Sequence, residues 1–265
     1  MKGWKLALGK TYLFALLLVT YAPILTLVVY SFNSSKSRGI WGGFSLKWYQ
    51  SLFQNQEILN ALWTTLWLAL LASVVATVLG TLAAIGIYNA GKVTKKLSMG
   101  IMYMPMLNSD IVTGISMMLL FSILRVQLGF STLLLAHITF CIPYVALSIL
   151  PKLHQVNRSV YEAALDLGCS VPGAYWKIII PDIMPGIITG FLLAVTLSID
   201  DFMISFFTTG QGVQNISIYV YTAAKRGIKP EINALSTILL VSVTLMLLII
   251  NLRQMRENKR NKNIF

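Results

Sequence analysis

Six apolar runs, at roughly 11–32, 62–88, 97–124, 131–150, 185–208 and 232–252, leave this chain few folds to choose from. At 1.5 Å rise per residue, a helical run of about twenty residues crosses a hydrocarbon core about 30 Å thick. Helices are the form expected, because they satisfy every backbone N–H and C=O without help from water. Pro23, Pro105 and Pro143 fall inside runs and predict kinks, which membrane helices tolerate. The expected class is therefore all-α and integral to a membrane, with six transmembrane helices. Composition supports it: 11% of residues are charged and the mean hydropathy is +0.73, whereas soluble domains carry roughly 25% charged residues.

The net charge of +12 fits either nucleic acid or an oriented membrane protein, and charge placement separates them. With the N-terminus inside, fourteen basic residues fall in cytoplasmic segments: Lys2, Lys5, Lys10, Lys92, Lys95, Lys96, Lys152, Arg158, Lys177, Arg253, Arg256, Lys259, Arg260 and Lys262. Seven fall outside: Lys36, Arg38, Lys47, Arg125, Lys225, Arg226 and Lys229. Both termini are expected to be cytoplasmic, and no nucleic-acid partner is expected. Lys2, Lys5 and Lys10 precede an apolar run in the manner of a signal peptide. The run is too long for such a segment and lacks a small-x-small cleavage site, so an uncleaved first helix is expected. Cys141 and Cys169 fit neither a disulfide framework nor a zinc site.

Three of the polar stretches between the runs exceed a turn. Residues 33–60 contain Phe44, Leu46, Trp48, Tyr49, Leu52 and Phe53, a set suited to the membrane interface. Residues 210–230 form a second outer loop, and 151–184 form the long cytoplasmic one. Two stripes of small residues recur every four positions: Ala72, Ala76, Gly80 and Ala84, then Gly186, Gly190, Ala194 and Ser198. Such stripes let helix backbones approach closely where lipid supplies no hydrophobic drive.

Enzymatic signals are weak. Leu8-Gly9-Lys10-Thr11 resembles the end of a phosphate-binding loop, but its first glycine is misplaced and no strand precedes it. His137 and His154 lie on different elements without ligand-spaced neighbours, and both read as structural. No catalytic residue, metal ligand or cofactor site is expected in this chain.

The loop from 151 to 184 is the most informative. It reads E-A-A-L-D-L-G over residues 162–168 and, after nine more residues, I-I-I-P over 178–181. Arg158, Glu162 and Asp166 share one helical face, with Ala163, Ala164 and Leu167 beside it. Gly168 is placed to stop that helix, and Ser170 to cap a second one with Pro172 in its first turn. The pattern resembles E-A-A-x3-G-x9-I-x-L-P, the signature of permease subunits of ATP-binding-cassette importers, with Ile180 in place of leucine. That resemblance implies a type I importer bundle (MetI-like) and makes this loop the coupling helix that docks on an ATPase. Glu162, Ala163, Ala164, Asp166, Gly168, Ile178 and Pro181 then carry the coupling. The expected division is 1–58 for the first helix and outer segment, 59–253 for the permease core, and 254–265 for a basic tail.

Three carboxylates in the apolar runs bear on the cargo. Asp110 lies about 18 Å along the third run, and Asp200 with Asp201 about 22 Å along the fifth, if each is one helix. A centrally placed Asp costs roughly 2.5–3.5 kcal/mol on insertion scales, so such residues face a path, a partner or the outer interface. Phe202, Phe206 and Phe207 adjoin the second pair. Carboxylates with aromatic faces suit an organic cation; pairing with Lys225 or Arg226 is the structural alternative. Asp110, Asp200, Asp201 and Phe202 are the candidate path or gate.

The segments F-N-S-S near Phe32, S-D-I-V near Asp110, 127–143, L-S-I-D-D-F near Asp200, and E-I-N-A-L-S-T-I-L-L from Glu231 are similar to spermidine/putrescine importer permeases of the PotC type. That resemblance implies a second related permease subunit, two ATPase copies holding ATP and magnesium, an extracytoplasmic binding protein, a polyamine cargo and a bacterial plasma membrane. An importer of an anion such as sulfate or phosphonate is the first alternative, and an autonomous channel or ion-coupled carrier the second.

Overall fold

Helices follow one another along the chain with short joints. They are α1 (Lys2–Ser31), α2 (Lys47–Gln54), α3 (Gln56–Asn89), α4 (Lys92–Leu107), α5 (Asp110–Ile123), α6 (Phe130–Gln155), α7 (Arg158–Asp166) and α8 (Val171–Ala174). A π-helical turn (Tyr175–Ile179) leads into α9 (Ile180–Asp200), then α10 (Met203–Thr208), α11 (Ile216–Arg226) and α12 (Pro230–Lys262). This computed structural model describes residues 2–36, 40–227 and 229–262, with side chains over 9–36, 40–227, 229–245 and 248. Lys2, Lys5, Arg38, Arg253, Arg256, Lys259, Arg260 and Lys262, which weigh in the orientation argument, lie outside the described side chains.

Among the described residues four helical stretches are long and apolar enough to cross a membrane: Gly9–Ser31, Gln56–Asn89, Phe130–Gln155 and Val171–Asp200. A fifth arises if Lys92–Leu107 and Asp110–Ile123 count as one broken span, and the apolar start of α12, Pro230–Leu245, is shorter. Among the described residues the count is therefore four or five, and six is not reached there.

The breaks fall where polar residues interrupt the apolar pattern. The third run is not one helix kinked at Pro105. Pro105 sits inside α4, and the chain turns by 106° between α4 and α5. Asn108 and Ser109 are both extended (ψ 151° and 140°), because short polar side chains compete with helical backbone bonding. Asp110 therefore begins a helix instead of lying deep within one. The fifth run also differs. Its helical stretch starts earlier, at Val171, and ends at Asp200, and Met203–Thr208 form the separate α10. Likewise α6 runs through Pro151 to Gln155, and α11 occupies part of the expected loop 210–230.

Two units emerge, Met1–Leu59 with Thr222–Phe265 and Asn60–Tyr221. In the first, α12 packs against α1 and α2. The Ser51 hydroxyl donates to Glu231 Oε1 at 2.6 Å and Asn55 Nδ2 to Oε2 at 3.2 Å. Trp48, expected at the interface, is buried and donates its indole N–H to the Asn33 carbonyl at 2.6 Å. The apolar side chains of α1 stay exposed, Tyr12, Phe14 and Val19 among them, as expected where lipid is the solvent.

In the second unit α6 lies between the two small-residue stripes. Ala72, Ala76, Gly80 and Ala84 are all buried, as are Gly186, Gly190, Ala194 and Ser198. A Cβ built on Gly80 would stand 2.8 Å from Val145, and one on Gly190 3.1 Å from the same side chain. Val145 is fully buried between them. The stripes therefore act as helix-packing faces, and both face the same helix.

Candidate functional site

The first site is the outward helix α7. Asn157 caps it, its side-chain oxygen accepting from Ser159 N at 3.0 Å. At the other end Gly168 N donates to Leu165 O (2.9 Å) and Cys169 N to Ala164 O (3.0 Å). This pair of bonds requires a left-handed residue at the corner, and Gly168 supplies it with φ +85°. Ser170 then caps α8, with Pro172 in its first turn as the sequence predicts. The second short helix continues through the π-helical turn into α9.

Exposure divides the coupling set. Glu162, Ala163, Asp166, Gly168 and Pro181 are exposed, while Ala164 and Ile178 are half-buried. Val160 and Leu167 share the outward face with Ala163, and Leu167 is 88% exposed. Val160, Ala163 and Leu167 thus leave a small apolar surface exposed on a polar loop between spans.

Sequence reasoning missed what holds α7 in place. Arg158 Nε donates to the Tyr88 hydroxyl at 3.2 Å, which raises the Arg158 pKa further above its ordinary value. Asn89 Nδ2 donates to the Tyr175 hydroxyl at 2.8 Å, and the Tyr161 and Tyr175 rings meet edge-on at 5.5 Å. A cavity of about 230 Å³ lies among these side chains. His154 Nδ1 donates to Leu150 O at 2.7 Å, which leaves Nε2 to accept from Lys95 at 3.1 Å. Tyrosines at helix ends were the available signal, but nothing in the sequence paired them.

The remaining candidate carboxylates lie at two separate helix breaks. Asp110 opens α5 and Asp200 closes α9, and both are exposed. α5 packs on α10 through Gly114, where a Cβ would meet the Phe207 ring, Met203 O and Ile204 Cα at 3.0–3.3 Å. Asp110 lies within electrostatic reach of Tyr144, and Asp201 of Cys141 one turn earlier on α6. Phe202 is half-buried, with ring centroids 4.7 Å from Tyr221 and 5.5 Å from Phe206. An exposed carboxylate can attract an organic cation, and the ring faces two residues beyond Asp200 add a surface that such a cation favours.

Asp201 differs from its neighbour. Its side chain is 7% exposed. Oδ1 accepts from Ile204 N at 3.2 Å and Oδ2 from Ser205 N at 2.8 Å, so it caps α10. His137 Nε2 lies 3.5 Å from Oδ2 and 2.9 Å from the Ser205 hydroxyl, while Nδ1 lies 2.8 Å from the Ser198 hydroxyl. Serine, histidine and aspartate thus meet in the manner of a nucleophile and its base, but Ser198, Ser205 and His137 are fully buried. In this conformation these hydroxyls are closed off from solvent.

The sequence model of the family described as "Binding-protein-dependent transport system inner membrane component" matches residues 76–260. The putrescine transport system permease protein PotI of Escherichia coli K12 is 39% identical over 247 residues, covering 90% of this chain and 85% of PotI. The spermidine/putrescine transport system permease protein PotC of the same strain is 38% identical over 241 residues, 91% of each chain. Its counterpart in Haemophilus influenzae is 36% identical over 254 residues, covering 96% of this chain and 98% of that one. Among solved structures, a bacterial ABC transporter involved in the import of the acidic polysaccharide alginate aligns with TM-score 0.66 at 18% identity. It covers 94% of this chain and 96% of its own, a likeness of fold alone.

Proposed function

This chain belongs to the family of binding-protein-dependent transport system inner membrane components, and from that membership we propose that it is the permease of an ATP-driven polyamine importer. One observation carries the cargo. Asp110 and Asp200 stand exposed at breaks in apolar helices, and two residues after Asp200 comes Phe202, whose ring packs with Tyr221 and Phe206. Burying a carboxylate in lipid is costly, so exposed acids held at this position serve a cationic solute. The relatives named for putrescine and spermidine support the same cargo.

The division of labour follows from the family. Residues 59–253 form the permease core, preceded by the first helix with its outer segment (1–58) and followed by a basic tail (254–265). Both termini face the cytoplasm of a bacterial cell, as the bias of basic residues indicates. A second, related permease completes the path, an extracytoplasmic binding protein delivers the polyamine, and two ATPase copies with ATP and magnesium drive alternating access. The chain itself binds no cofactor and hydrolyses nothing. The bare face of α7 around Leu167 receives the ATPase, and Glu162 to Gly168 transmit its closure through the π-helical turn to α9. Asp110, Asp200, Asp201 and Phe202 form the path or gate.

Uptake of labelled spermidine and putrescine by the reconstituted assembly tests this, with amino acids and anions as competitors. ATP-dependent uptake competed only by polyamines is expected. Competition by sulfate or phosphonate would replace the cargo, and uptake without the ATPase would sink the importer itself. Labelling of Leu167→Cys from the cytoplasmic side alone tests the orientation.

A further inference from the structure

We propose that His137 is the positioning residue of the cargo path: acting through Asp201, it holds the break between α9 and α10 so that Asp200, and not Asp201, meets the cargo. This rests on the polyamine reading and divides the two adjacent acids into a ligand and a support.

The two carboxylates have opposite surroundings although they are consecutive. Asp200 ends α9 and is exposed. Asp201 has extended backbone (ψ 128°), turns inward, and accepts two backbone N–H groups from the first turn of α10. Those bonds and the imidazole 3.5 Å away occupy both of its oxygens. An acid so engaged would have to give up its α10 cap to bind an amine.

His137 fixes this arrangement from α6. Its Nδ1 pairs with Ser198, in the last turn of α9, and its Nε2 with Ser205, in the first turn of α10. One ring thus staples the chain on both sides of the break. Asn215 Nδ2 also donates to the Ser205 hydroxyl at 2.8 Å, and the Phe140 ring stands edge-on to the imidazole at 5.4 Å. Nearby, the Thr132 hydroxyl donates to Thr208 O at 2.9 Å and ties the start of α6 to the end of α10. Every polar atom of the cluster is committed, so the ring has one orientation. Without it Ser198, Ser205 and Asp201 lose a shared partner, and the turn that aims Asp200 outward loosens.

The test is a transport cycle in the reconstituted assembly. His137→Ala and Asp200→Asn each raise the KM for spermidine by roughly tenfold, the scale of one charge-assisted hydrogen bond. The double variant is no worse than Asp200→Asn alone, because the histidine affects the cargo only by placing Asp200. His137→Gln, a neutral donor, recovers most of the KM. Multiplying effects in the double variant, or a lower Vmax at unchanged KM, would reduce His137 to packing and overturn the proposal.

A second measurement needs no variant. Carbodiimide activation of the wild-type assembly in the presence of spermidine couples the cargo to the acid it touches, and mass spectrometry locates the amide. The bond is expected at Asp200; coupling at Asp201, or at neither acid, overturns the assignment. Failure of the cargo reading has a different signature, since the wild-type assembly would then import no polyamine at all.

Discussion

The guanidinium of Arg158 lies 5.3 Å from the ring centroid of Tyr88, and its Nε donates to the hydroxyl of that ring at 3.2 Å. This pair joins the first residue of the outward helix to the last turn of α3. Asn89, the next residue of α3, reaches Tyr175 in the π-helical turn. The face proposed to receive the ATPase is therefore tied to two spans, α9 through the chain and α3 through side chains.

If the tie transmits motion, Tyr88 variants uncouple hydrolysis from import. Tyr88→Phe keeps the ring and loses the hydroxyl, and should lower polyamine imported per ATP by roughly twofold, the scale of a surface contact. Tyr88→Leu should lower it further. The ratio of uptake to phosphate release measures this; an unchanged ratio in both variants would show that α9 suffices.

Gly168 is required for its backbone and not for space: φ is +85°, and a Cβ there would meet nothing within 4 Å. Gly168→Ala should cost about 1 kcal/mol in the corner, hence roughly fivefold in ATPase retention. Asn, which tolerates this conformation, should retain more ATPase than Ala, and Val less. Equal loss in all three on co-purification would mean that the partner itself fills the space.

Gly80 is the opposite case. A Cβ there would stand 2.8 Å from both Cβ and Cγ1 of Val145 and 3.2 Å from Ile142 O. Gly80→Ala should destabilise the second unit by about 1–3 kcal/mol, the usual cost of overpacking. Val145→Ala in the same chain should recover part of that loss. Thermal aggregation of the detergent-solubilised protein reads it, and a Gly80→Ala protein as stable as wild type would refute the close contact.

Asp110→Asn and Asp200→Asn should each weaken uptake, and more for a triamine than for a diamine. Each substitution removes one charge-assisted contact, so KM for spermidine should rise roughly tenfold per lost contact. Membrane abundance should be unchanged, because both acids are exposed. Equal KM values for wild type and both variants would remove these acids from the path.

Much of this was legible along the chain. The outward helix, its stop at Gly168, the Ser170 cap and both small-residue stripes follow from local spacing and appear where expected. The breaks did not follow. An apolar run shows only that a segment prefers lipid, and Asn108-Ser109 within such a run could be read as a tolerated polar interruption. The structure instead turns the chain by 106° there and ends α9 at Asp200.

By itself the sequence determined the solvent, the helical class and the place of the outward loop, because apolar length, small-residue period and capping chemistry act between near neighbours. Tertiary structure decided which acid is free. Asp200 and Asp201 are indistinguishable in sequence, yet one is exposed and the other is held by His137, 64 positions earlier. Pairing at that separation depends on α6 packing against α9 and α10, which no local pattern encodes. A buried polar group takes its role from the partners that the fold brings to it.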